Sequence, residues 1–387
     1  MTVKIIADEN IPFVADCFSS IGEVETVPGR EITPSLVSDA DALVVRSITR
    51  GESNLLAGSK VRFVGTATIG FEHVDVAYLA QNDIGFASAP GSNANSVAEY
   101  IVAALLSVGQ KKGIGIEGKS IGIVGVGNVG SRVERKARAL GMEVYLNDPP
   151  LQRQTGDEKY LPIEGLFDCD FVTLHTPLTF EGIDKTFHLA DEKFFGSLKS
   201  GCIFINTARG AVTDTNAIKA AVKSGKLGGA ILDVWEDEPN IDVELLRMVD
   251  LSTPHIAGYS LDGKIGGMIM IYEAACKHFL VEPTRTIEDF LPETDVTEIE
   301  VDPDSGNEQE ILHKTVQQVY PINRDDFNTR EIAMVAAEER GKFFDDLRKN
   351  YPQRREYQNT RVVLKCACES LANKLAGIGF EVSSGQQ

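Results

Sequence analysis

A glycine-rich segment directly after an apolar run constrains this sequence more than any other feature. Residues 121–130 read Ile-Gly-Ile-Val-Gly-Val-Gly-Asn-Val-Gly, so the spacing G-x-G-x-x-G falls at Gly125, Gly127 and Gly130. An amphipathic helical pattern follows, and then a second apolar run that leads to Asp148. This order predicts a strand, a tight turn, a helix and a second strand, which together form one βαβ unit of an open parallel sheet.

The same segment predicts a dinucleotide site. Gly125 permits the tight turn, Gly127 lets the backbone approach a pyrophosphate, and Gly130 lets helix and strand pack closely. The helix N-terminus offers unpaired N–H groups to the phosphates. Asp148 follows about 20 residues on, where a carboxylate accepts hydrogen bonds from the ribose hydroxyls and repels the 2′-phosphate of NADP. The alternative is a glycine-rich turn that binds nothing. We predict NAD as the cofactor, held here by Gly125, Gly127, Asn128, Val129, Gly130 and Asp148.

The rest of the chain also alternates strand-like and helix-like segments, which indicates the α/β fold class. The 387 residues suit two or three domains. Short β-branched runs in the first 90 residues predict one sheet, and six runs between residues 98 and 257 predict a second. Residues 286–310 hold ten acids and no Lys or Arg, which is typical of a linker or a solvated edge. The sequence beyond predicts a small α+β domain, with a helix around 328–348, a strand at 361–366, a helix at 370–375 and a strand at 380–383.

Charge and hydropathy exclude several classes of function. The formal net charge is −19, so the chain lacks the clustered cations that a general nucleic-acid binder or a protein of anionic membranes needs. No apolar run reaches the roughly 18 residues of a membrane helix. The N-terminus has neither a signal-peptide nor a transit-peptide pattern, so we expect a cytoplasmic location. The six histidines show no paired spacing with acids, so no metal site is expected.

Three later strand-like runs end in polar residues that suit hydride transfer at a hydroxyl carbon. The carboxyl ends of parallel strands face one edge, where ligands bind. Arg209 offers a planar fork that holds a carboxylate by two hydrogen bonds. His255 can take the hydroxyl proton, and Glu238 can fix its tautomer and favour the imidazolium. Asp233 is a further acid at a strand end, suited to the nicotinamide side of the cofactor. Taken singly, each of these residues more often has a surface or structural role, but their combination in this order after a dinucleotide fingerprint favours the catalytic interpretation.

Four motifs in this order resemble the signature of the D-2-hydroxyacid dehydrogenases. They are the glycine fingerprint, Asn-Thr-Ala-Arg-Gly at 206–210, Leu-Asp-Val-Trp-x-x-Glu-Pro at 232–239 and Thr-Pro-His-Ile-Ala-Gly at 253–258. The resemblance covers about residues 1–285. It implies Arg209, Glu238 and His255 as the catalytic trio, and Thr176, Asp233 and Gly258 as further contacts of NAD. It also implies a flavodoxin-like substrate domain, residues 1–97 and 258–285, into which a Rossmann NAD-binding domain, residues 98–257, is inserted.

One loop departs from the general family pattern. The usual Gly-Arg-Ala-Gly is replaced by Gly-Thr-Ala-Thr at 65–68, so hydroxyls stand where backbone N–H groups normally bind a carboxylate. Together with the C-terminal domain, residues 286–387, this resembles a branch of the family that oxidises a phosphorylated sugar acid and forms homodimers through that domain. The resemblance implies substrate contacts from Ser47, Thr68 and Tyr259. An acidic protein needs local cations for a phosphate, and Arg46 and Arg348 are the candidates.

Two alternatives remain open. The 3-phosphoglycerate dehydrogenases belong to the same family, although the last hundred residues do not read clearly as their regulatory βαββαβ domain. A non-catalytic NAD-sensing scaffold is a rival from another class, since such proteins can keep the catalytic trio. A measurable turnover separates the second alternative from an enzyme.

Overall fold

The computed structural model describes residues 2–384, with side chains to residue 383. The chain forms two compact units. The first contains the residues up to 93 together with 260–293, and the second contains 94–259 together with the residues from 294 on. The C-terminal region, expected as a domain of its own, therefore shares one compact unit with the region of the glycine fingerprint.

Within the described residues the secondary structure alternates along most of the chain. The strands are β1 Val3–Asp8, β2 Gly22–Val27, β3 Ala42–Val45, β4 Phe63–Thr66, β5 Gly85–Ala87, β6 Ser120–Val124, β7 Glu143–Asn147, β8 Phe171–Leu174, β9 Cys202–Asn206, β10 Leu227–Leu232, β11 Leu251–Ser252, β12 Glu298–Val301, β13 Arg361–Leu364 and β14 Glu381–Ser384. The α-helices are α1 Val14–Phe18, α2 Pro34–Val37, α3 Ser53–Leu56, α4 Val76–Gln81, α5 Ala94–Lys112, α6 Gly130–Ala139, α7 Pro149–Thr155, α8 Glu192–Ser197, α9 Thr215–Lys223, α10 Val243–Met248, α11 Leu261–Phe279, α12 Glu308–Val319, α13 Ile322–Arg330, α14 Arg340–Lys349 and α15 Glu369–Ile378.

The first unit is built on a parallel sheet in the order β2-β1-β3-β4-β5. The central strands β3 and β4 are buried along their whole length, as expected of strands covered on both faces. Helix α11 packs on this sheet and buries Ile265, Met268 and Tyr272. Strand β2 was not predicted, because as an edge strand it reads Gly-Glu-Val-Glu-Thr-Val and leaves its polar residues in water.

The second unit contains a parallel sheet in the order β11-β10-β9-β8-β6-β7, which confirms the six predicted strands. The sheet is doubly wound, with β6 and β8 adjacent at the point where the strand order reverses. Helix α5 runs beside it and is buried from Val97 to Gly109. A helix that is apolar on every side is stable when it is buried inside a protein. This burial explains why the sequence of α5 is long and apolar although it is too short to span a membrane.

The C-terminal region differs from its prediction in three ways. Its sheet, β12-β13-β14, is entirely parallel, whereas an α+β domain was expected. Strand β12 lies within the acidic stretch that was predicted to be a linker or a solvated edge, and it is an edge strand of its sheet. Ile299 and Val301 are buried between exposed glutamates, so the two-residue period of this strand was overlooked. The single helix expected around 328–348 is divided into α13 and α14, because Val335 and Ala336 are extended and interrupt it.

This region shares a hydrophobic core with the six-stranded unit. Helix α12 packs on α5, and α15 packs on α6. Buried side chains of both regions form one continuous cluster, among them Leu105, Val133, Val316 and Leu371. In residues 2–384, none of the helices combines the length and the apolar character needed to cross a membrane.

Candidate active site

The turn between β6 and α6 has the backbone shape that the glycine spacing predicts. Gly125 has a φ of 85°, and a Cβ there would lie 2.8 Å from the His175 carbonyl oxygen. At Gly130 a Cβ would lie 2.0 Å from the Gly125 carbonyl oxygen, so only glycine lets helix and strand pack this closely. A Cβ on Gly127 would meet nothing within 4 Å, which leaves its backbone open to a ligand. The turn therefore fits a pyrophosphate.

Asp148 adjoins this turn at the end of β7. Its Oδ2 accepts from the Val126 N–H at 2.8 Å, and its Oδ1 accepts from the Leu151 N–H at 2.9 Å as the N-cap of α7. A carboxylate has about four acceptor positions, so two remain for ribose hydroxyls. The acid is held by the loop before α6 and by the start of α7, in the place a ribose partner needs.

Thr176 provides a further indication of a ligand. Its hydroxyl oxygen is buried and hydrogen-bonds no described residue. An unpaired buried hydroxyl is costly in a finished structure, and a bound molecule would satisfy it. The neighbouring His175 lies between Thr173 and Thr207, and burial lowers its pKa to about 3. His175 therefore stays neutral and separates the ends of β8 and β9.

The other predicted cofactor residues lie in the loops beside these groups. Asn128 and Val129 complete the turn into α6, where the Asn128 carbonyl oxygen accepts from Arg132 Nη1 at 2.7 Å. Gly258 lies in the loop after β11. The residues that we predicted to bind NAD thus occupy the strand ends of one sheet in the second unit.

Arg209 follows β9 and is held through its backbone. The Asn206 side chain donates to the Arg209 carbonyl oxygen at 3.0 Å and accepts from the Ala208 N–H at 2.9 Å. A Cβ on Gly210 would lie 1.9 Å from the Trp235 carbonyl oxygen, so this loop touches the loop after β10 directly. The half-buried guanidinium donates to the Ala208 carbonyl oxygen at 2.8 Å. These contacts therefore fix the position of the Arg209 backbone, from which the side chain extends.

His255 and Glu238 form a direct hydrogen bond, as the sequence predicted. The distance from His255 Nδ1 to Glu238 Oε2 is 2.7 Å. The other carboxylate oxygen accepts from the Trp235 N–H at 2.8 Å. His255 has a φ of 58°, a left-handed conformation that is uncommon outside glycine and is typical of functional sites. The pairing leaves Nε2 as the ring nitrogen that can exchange a proton with a ligand.

The Glu238 carboxyl is kept ionised by its surroundings. Burial alone would raise its pKa, but the His255 ring, the Trp235 N–H and the Arg348 guanidinium lower it below its ordinary value. An ionised carboxylate accepts from the Nδ1–H and stabilises the imidazolium that forms when Nε2 takes up a proton. The pair is thus arranged for general acid–base chemistry.

Asp233 holds the loop that carries His255. Its Oδ1 accepts from the Thr253 hydroxyl at 2.7 Å and from the Ile256 N–H at 2.7 Å, and the Ala257 N–H lies 3.1 Å from both oxygens. The Thr253 hydroxyl accepts in turn from the buried Tyr100, at 2.8 Å. Burial raises the pKa of Asp233, against the charge of His255 and these hydrogen bonds. Thr253, quoted only as part of a motif, and Tyr100 were not predicted to hold this acid, since only long-range packing brings them to it.

The predicted substrate residues of the first unit lie on two neighbouring strand ends. Ser47 is exposed after β3, and Thr68 is half-buried after β4. Arg46 is not a free cation, since its Nε lies 3.0 Å from Oδ2 of the buried Asp8. This ion pair offsets much of the charge that was predicted to attract a phosphate.

Arg348, at the end of α14, belongs to the same group as the catalytic pair. Its guanidinium lies 5.9 Å from the ring centroid of Tyr259, and its charge acts on Glu238. Burial lowers its pKa, but Tyr259 and Glu238 together raise it above the ordinary value. Its Nε is buried and hydrogen-bonds no described residue. Arg348 therefore places a positive charge near the His255–Glu238 pair, with an Nε donor that no described residue accepts from.

Comparisons with known proteins agree with this arrangement. A sequence model described as the NAD binding domain of the D-isomer specific 2-hydroxyacid dehydrogenases matches residues 93–257, and one described as a domain of unknown function, DUF3410, matches residues 290–379. The chain is 43% identical over 379 residues to proteins named erythronate-4-phosphate dehydrogenase in Escherichia coli and in Shigella boydii serotype 4, covering 98% of both partners.

Solved structures share the fold over about three quarters of the chain. A D-lactate dehydrogenase from Aquifex aeolicus, complexed with NAD and lactic acid, is 25% identical with a TM-score of 0.59, covering 72% of this chain and 95% of that one. A 3-phosphoglycerate dehydrogenase from Entamoeba histolytica with bound NAD⁺ is 24% identical with a TM-score of 0.62, covering 76% of this chain and 99% of that one.

Proposed function

This chain belongs to the erythronate-4-phosphate dehydrogenases, within the family of D-isomer specific 2-hydroxyacid dehydrogenases, and we propose that it oxidises 4-phospho-D-erythronate at C2. The product is 3-hydroxy-2-oxo-4-phosphooxybutanoate, an intermediate in the synthesis of pyridoxal 5′-phosphate. The observation that carries the proposal is the 2.7 Å hydrogen bond between His255 and Glu238, in the same unit as a glycine turn that fits a dinucleotide. The sequence identity to erythronate-4-phosphate dehydrogenases, which covers 98% of the chain, extends the proposal to this substrate.

The cofactor is NAD, for which the family's nucleotide-binding domain is named. When bound, NAD accepts the hydride that leaves C2 of the substrate. We assign its binding to Gly125, Gly127, Asn128, Val129, Gly130, Asp148, Thr176, Asp233 and Gly258. Asp148 favours NAD over NADP because its carboxylate would repel a 2′-phosphate.

His255 moves the proton of the reaction. Its Nε2 accepts the proton of the C2 hydroxyl as the C2–O bond becomes a carbonyl, which leaves the ring as an imidazolium. Glu238 accepts from Nδ1–H and stabilises that charge, so the basic nitrogen is always the one that faces away from the carboxylate. In the reverse direction the same nitrogen returns the proton.

Arg209 binds the substrate carboxylate. A guanidinium presents parallel N–H donors that match the two oxygens of a carboxylate. Beside C2, this cation also stabilises the partial negative charge on the oxygen as the proton leaves. Arg209 therefore orients the substrate and favours the reaction at the carbon next to the carboxylate.

The remainder of the substrate is assigned to Ser47, Thr68 and Tyr259, with cations at Arg46 and Arg348. Of the two cations, Arg348 is better supported for the phosphate, because its Nε is buried without a partner among the described residues while Arg46 is paired with Asp8. A charge-assisted bond from a guanidinium is the usual way to hold a phosphate.

We assign the protein to the cytoplasm as a homodimer formed through residues 286–387. Two large apolar side chains of this region are exposed, Phe327 to 65% and Met334 to 86%, and a dimer formed here would cover them. Light scattering of the purified protein, alone and as Phe327→Asp, tests the assignment: a dimer that the substitution weakens supports it, and a monomer rejects it.

The experiment that tests the reaction is NADH formation by the purified protein. 4-Phosphoerythronate and 3-phosphoglycerate are each assayed with NAD and with NADP, and His255→Ala is the control. We expect turnover of 4-phosphoerythronate with NAD that the control loses. A preference for 3-phosphoglycerate would reject the substrate but keep the family. Absence of turnover, also in a single-turnover assay, would favour the non-catalytic scaffold.

A further inference from the structure

In the first unit, a series of hydrogen-bonded side chains ends at Thr68. The Thr66 hydroxyl lies 2.7 Å from the Thr68 hydroxyl and 2.9 Å from Nε2 of His73. The Thr68 hydroxyl donates to the Gly70 carbonyl oxygen at 2.9 Å. Thr66 is fully buried at the end of β4, in the loop that departs from the general family pattern.

The donors of this chain can be assigned because each hydroxyl has one hydrogen. Thr68 donates its hydrogen to the Gly70 carbonyl oxygen, so in its contact with Thr66 it is the acceptor and Thr66 is the donor. Because Thr66 donates its only hydrogen to Thr68, it must accept from His73. The ring nitrogen Nε2 of His73 therefore carries a hydrogen.

The surroundings of His73 agree with this direction. Burial lowers the pKa of the ring, against the smaller opposite effect of Glu72, so the ring is neutral near pH 7. A neutral histidine has one N–H, and the assignment above places it on Nε2. The hydrogen bonds then run in one direction, from His73 through Thr66 and Thr68 to the Gly70 carbonyl.

We propose that Thr66 and His73 are positioning residues which hold Thr68 as a pure hydrogen-bond acceptor, so that Thr68 recognises a hydroxyl of the substrate and not its carboxylate. Thr68 has one lone pair left and no hydrogen to give, so it can bind a donor but not an anionic oxygen. The inference rests on the proposed function, in which the C2 hydroxyl gives its proton to His255. The substrate hydroxyl that donates to Thr68 is therefore the one at C3.

The tautomer of His73 tests the hydrogen-bond assignment without any enzymatic turnover. In the ¹⁵N-labelled wild-type protein at neutral pH, we expect Nε2 of His73 to show the chemical shift of a protonated ring nitrogen and Nδ1 that of an unprotonated one. His73→Gln identifies the signals by their loss. A neutral ring protonated at Nδ1 would overturn the proposal, because Thr66 would then donate to His73.

Kinetics with a substrate analogue test the recognition. The analogue is 2-hydroxy-4-phosphooxybutanoate, which lacks only the C3 hydroxyl. We expect kcat/KM of the wild-type enzyme to be about tenfold lower for this analogue than for 4-phosphoerythronate, as one neutral hydrogen bond is lost. Thr66→Val, which removes the hydroxyl but keeps the shape, should bring the two values within about twofold. Thr68 then keeps only its bond to the Gly70 carbonyl oxygen, and without the Thr66 donor its free lone pair is no longer oriented toward the substrate.

Matched variants separate positioning from a loss of structure. Thr66→Ser restores the hydroxyl and should restore the discrimination, whereas Thr33→Val makes the same change at an exposed site and should leave it unaltered. If Thr66→Val keeps the wild-type ratio, or if the wild-type enzyme does not distinguish the two substrates, the recognition by Thr68 is refuted. A wild-type protein that oxidises neither compound rejects the proposed function instead, and the His73 tautomer still tests the assignment of donors.

Discussion

At the scale of single residues, the chemistry depends on which atoms are held and which are left open. Both oxygens of Glu238 are engaged, one by His255 and one by the Trp235 N–H. The acid lies in the run Glu236-Asp237-Glu238, and its neighbour Glu236 binds a different histidine, His188, with Oε1 2.6 Å from Nε2. Two acids of one run, Glu236 and Glu238, thus each hydrogen-bond a different histidine.

Substitution of Glu238 should therefore lower kcat, whereas substitution of Glu236 should not. Glu238→Gln keeps the volume but loses the charge that fixes the His255 tautomer, and we expect kcat to fall by a factor of about 10² to 10⁴. Glu236→Gln is the matched control and should leave kcat near the wild-type value. Steady-state NADH formation measures both. Equal losses in the two variants would mean that the acidic run acts through its total charge.

The lowered pKa of Glu238 also predicts a dependence on pH. Since its pKa in the folded protein lies below the ordinary 4.5, the carboxylate stabilises the protein fully above about pH 4.5 and loses this contribution as the pH falls further. Unfolding curves of wild type and Glu238→Gln, measured at several pH values, should differ most near neutrality and converge in acid. Curves that diverge in acid would show that the pKa is raised.

Asp148 gives a prediction about the cofactor. Asp148→Ser removes the charge that favours NAD, so we expect the Kd of NADH to rise about tenfold and the preference over NADPH to shrink. Titration of cofactor fluorescence measures both affinities. The variant also loses acceptors for the Val126 and Leu151 N–H groups, so its thermal unfolding is recorded alongside. Unchanged affinities in a folded variant would contradict the assignment.

At the scale of elements, the turn between β6 and α6 combines a folding constraint with a binding one. Gly130→Ala places a Cβ 2.0 Å from a carbonyl oxygen, whereas Gly127→Ala meets nothing within 4 Å. We expect Gly130→Ala to be unstable or insoluble, and Gly127→Ala to fold normally but bind NADH weakly, because its methyl group occupies the space of the pyrophosphate. Circular dichroism and a cofactor titration distinguish the two; normal binding by Gly127→Ala would refute this use of the turn.

Helix α5 is joined to the C-terminal segment by a buried ion pair. Glu99 Oε2 lies 3.0 Å from Arg354 Nη1, and both side chains are almost completely buried. Burial and the nearby Glu356 raise the pKa of Glu99 to about 8. Glu99→Ala leaves two buried donors, Arg354 Nη1 and the Tyr357 N–H, without this acceptor, so we expect it to lower the free energy of unfolding by about 3–5 kcal/mol. Lys342→Ala breaks an exposed pair within α14 and should have no measurable effect. Chemical denaturation compares the two variants, and equal effects would contradict the prediction.

At the scale of the whole molecule, the C-terminal region completes the core of the six-stranded unit. Buried residues of α12 and α15 belong to the same hydrophobic cluster as α5 and β6. A chain that ends at residue 293 would expose the apolar surfaces on which these helices pack. We expect it to be insoluble or to lose cofactor binding, although the matched NAD-binding domain ends at residue 257. Expression of this shortened chain, followed by a titration with NADH, gives the answer; a soluble chain that binds normally would show that the region is an independent appendage.

Much of the cofactor site could be predicted from the sequence, because its causes are local. A positive φ at Gly125 and a close backbone approach at Gly130 require glycine wherever they occur. The glycine spacing became specific through its local context, since an apolar strand precedes it and an amphipathic helix, a second strand and Asp148 follow. The hydrogen bond between Glu238 and His255 was also predicted, but from the order of motifs and a resemblance. Strand β12 and the division between α13 and α14 were missed, since acidic composition and helical propensity outweighed a short alternating pattern.

The sequence by itself determined the α/β class, the six-stranded sheet with its glycine turn, and the polar ends of the strands, because periodicity and backbone sterics act over a few neighbouring residues. Only the tertiary structure decided that the charge of Arg348 lowers the pKa of Glu238, that Asp233 holds the His255 loop with Thr253, and that the C-terminal region shares a core with α5. These contacts join segments far apart in the chain. They follow from packing whole surfaces together, which no local pattern encodes.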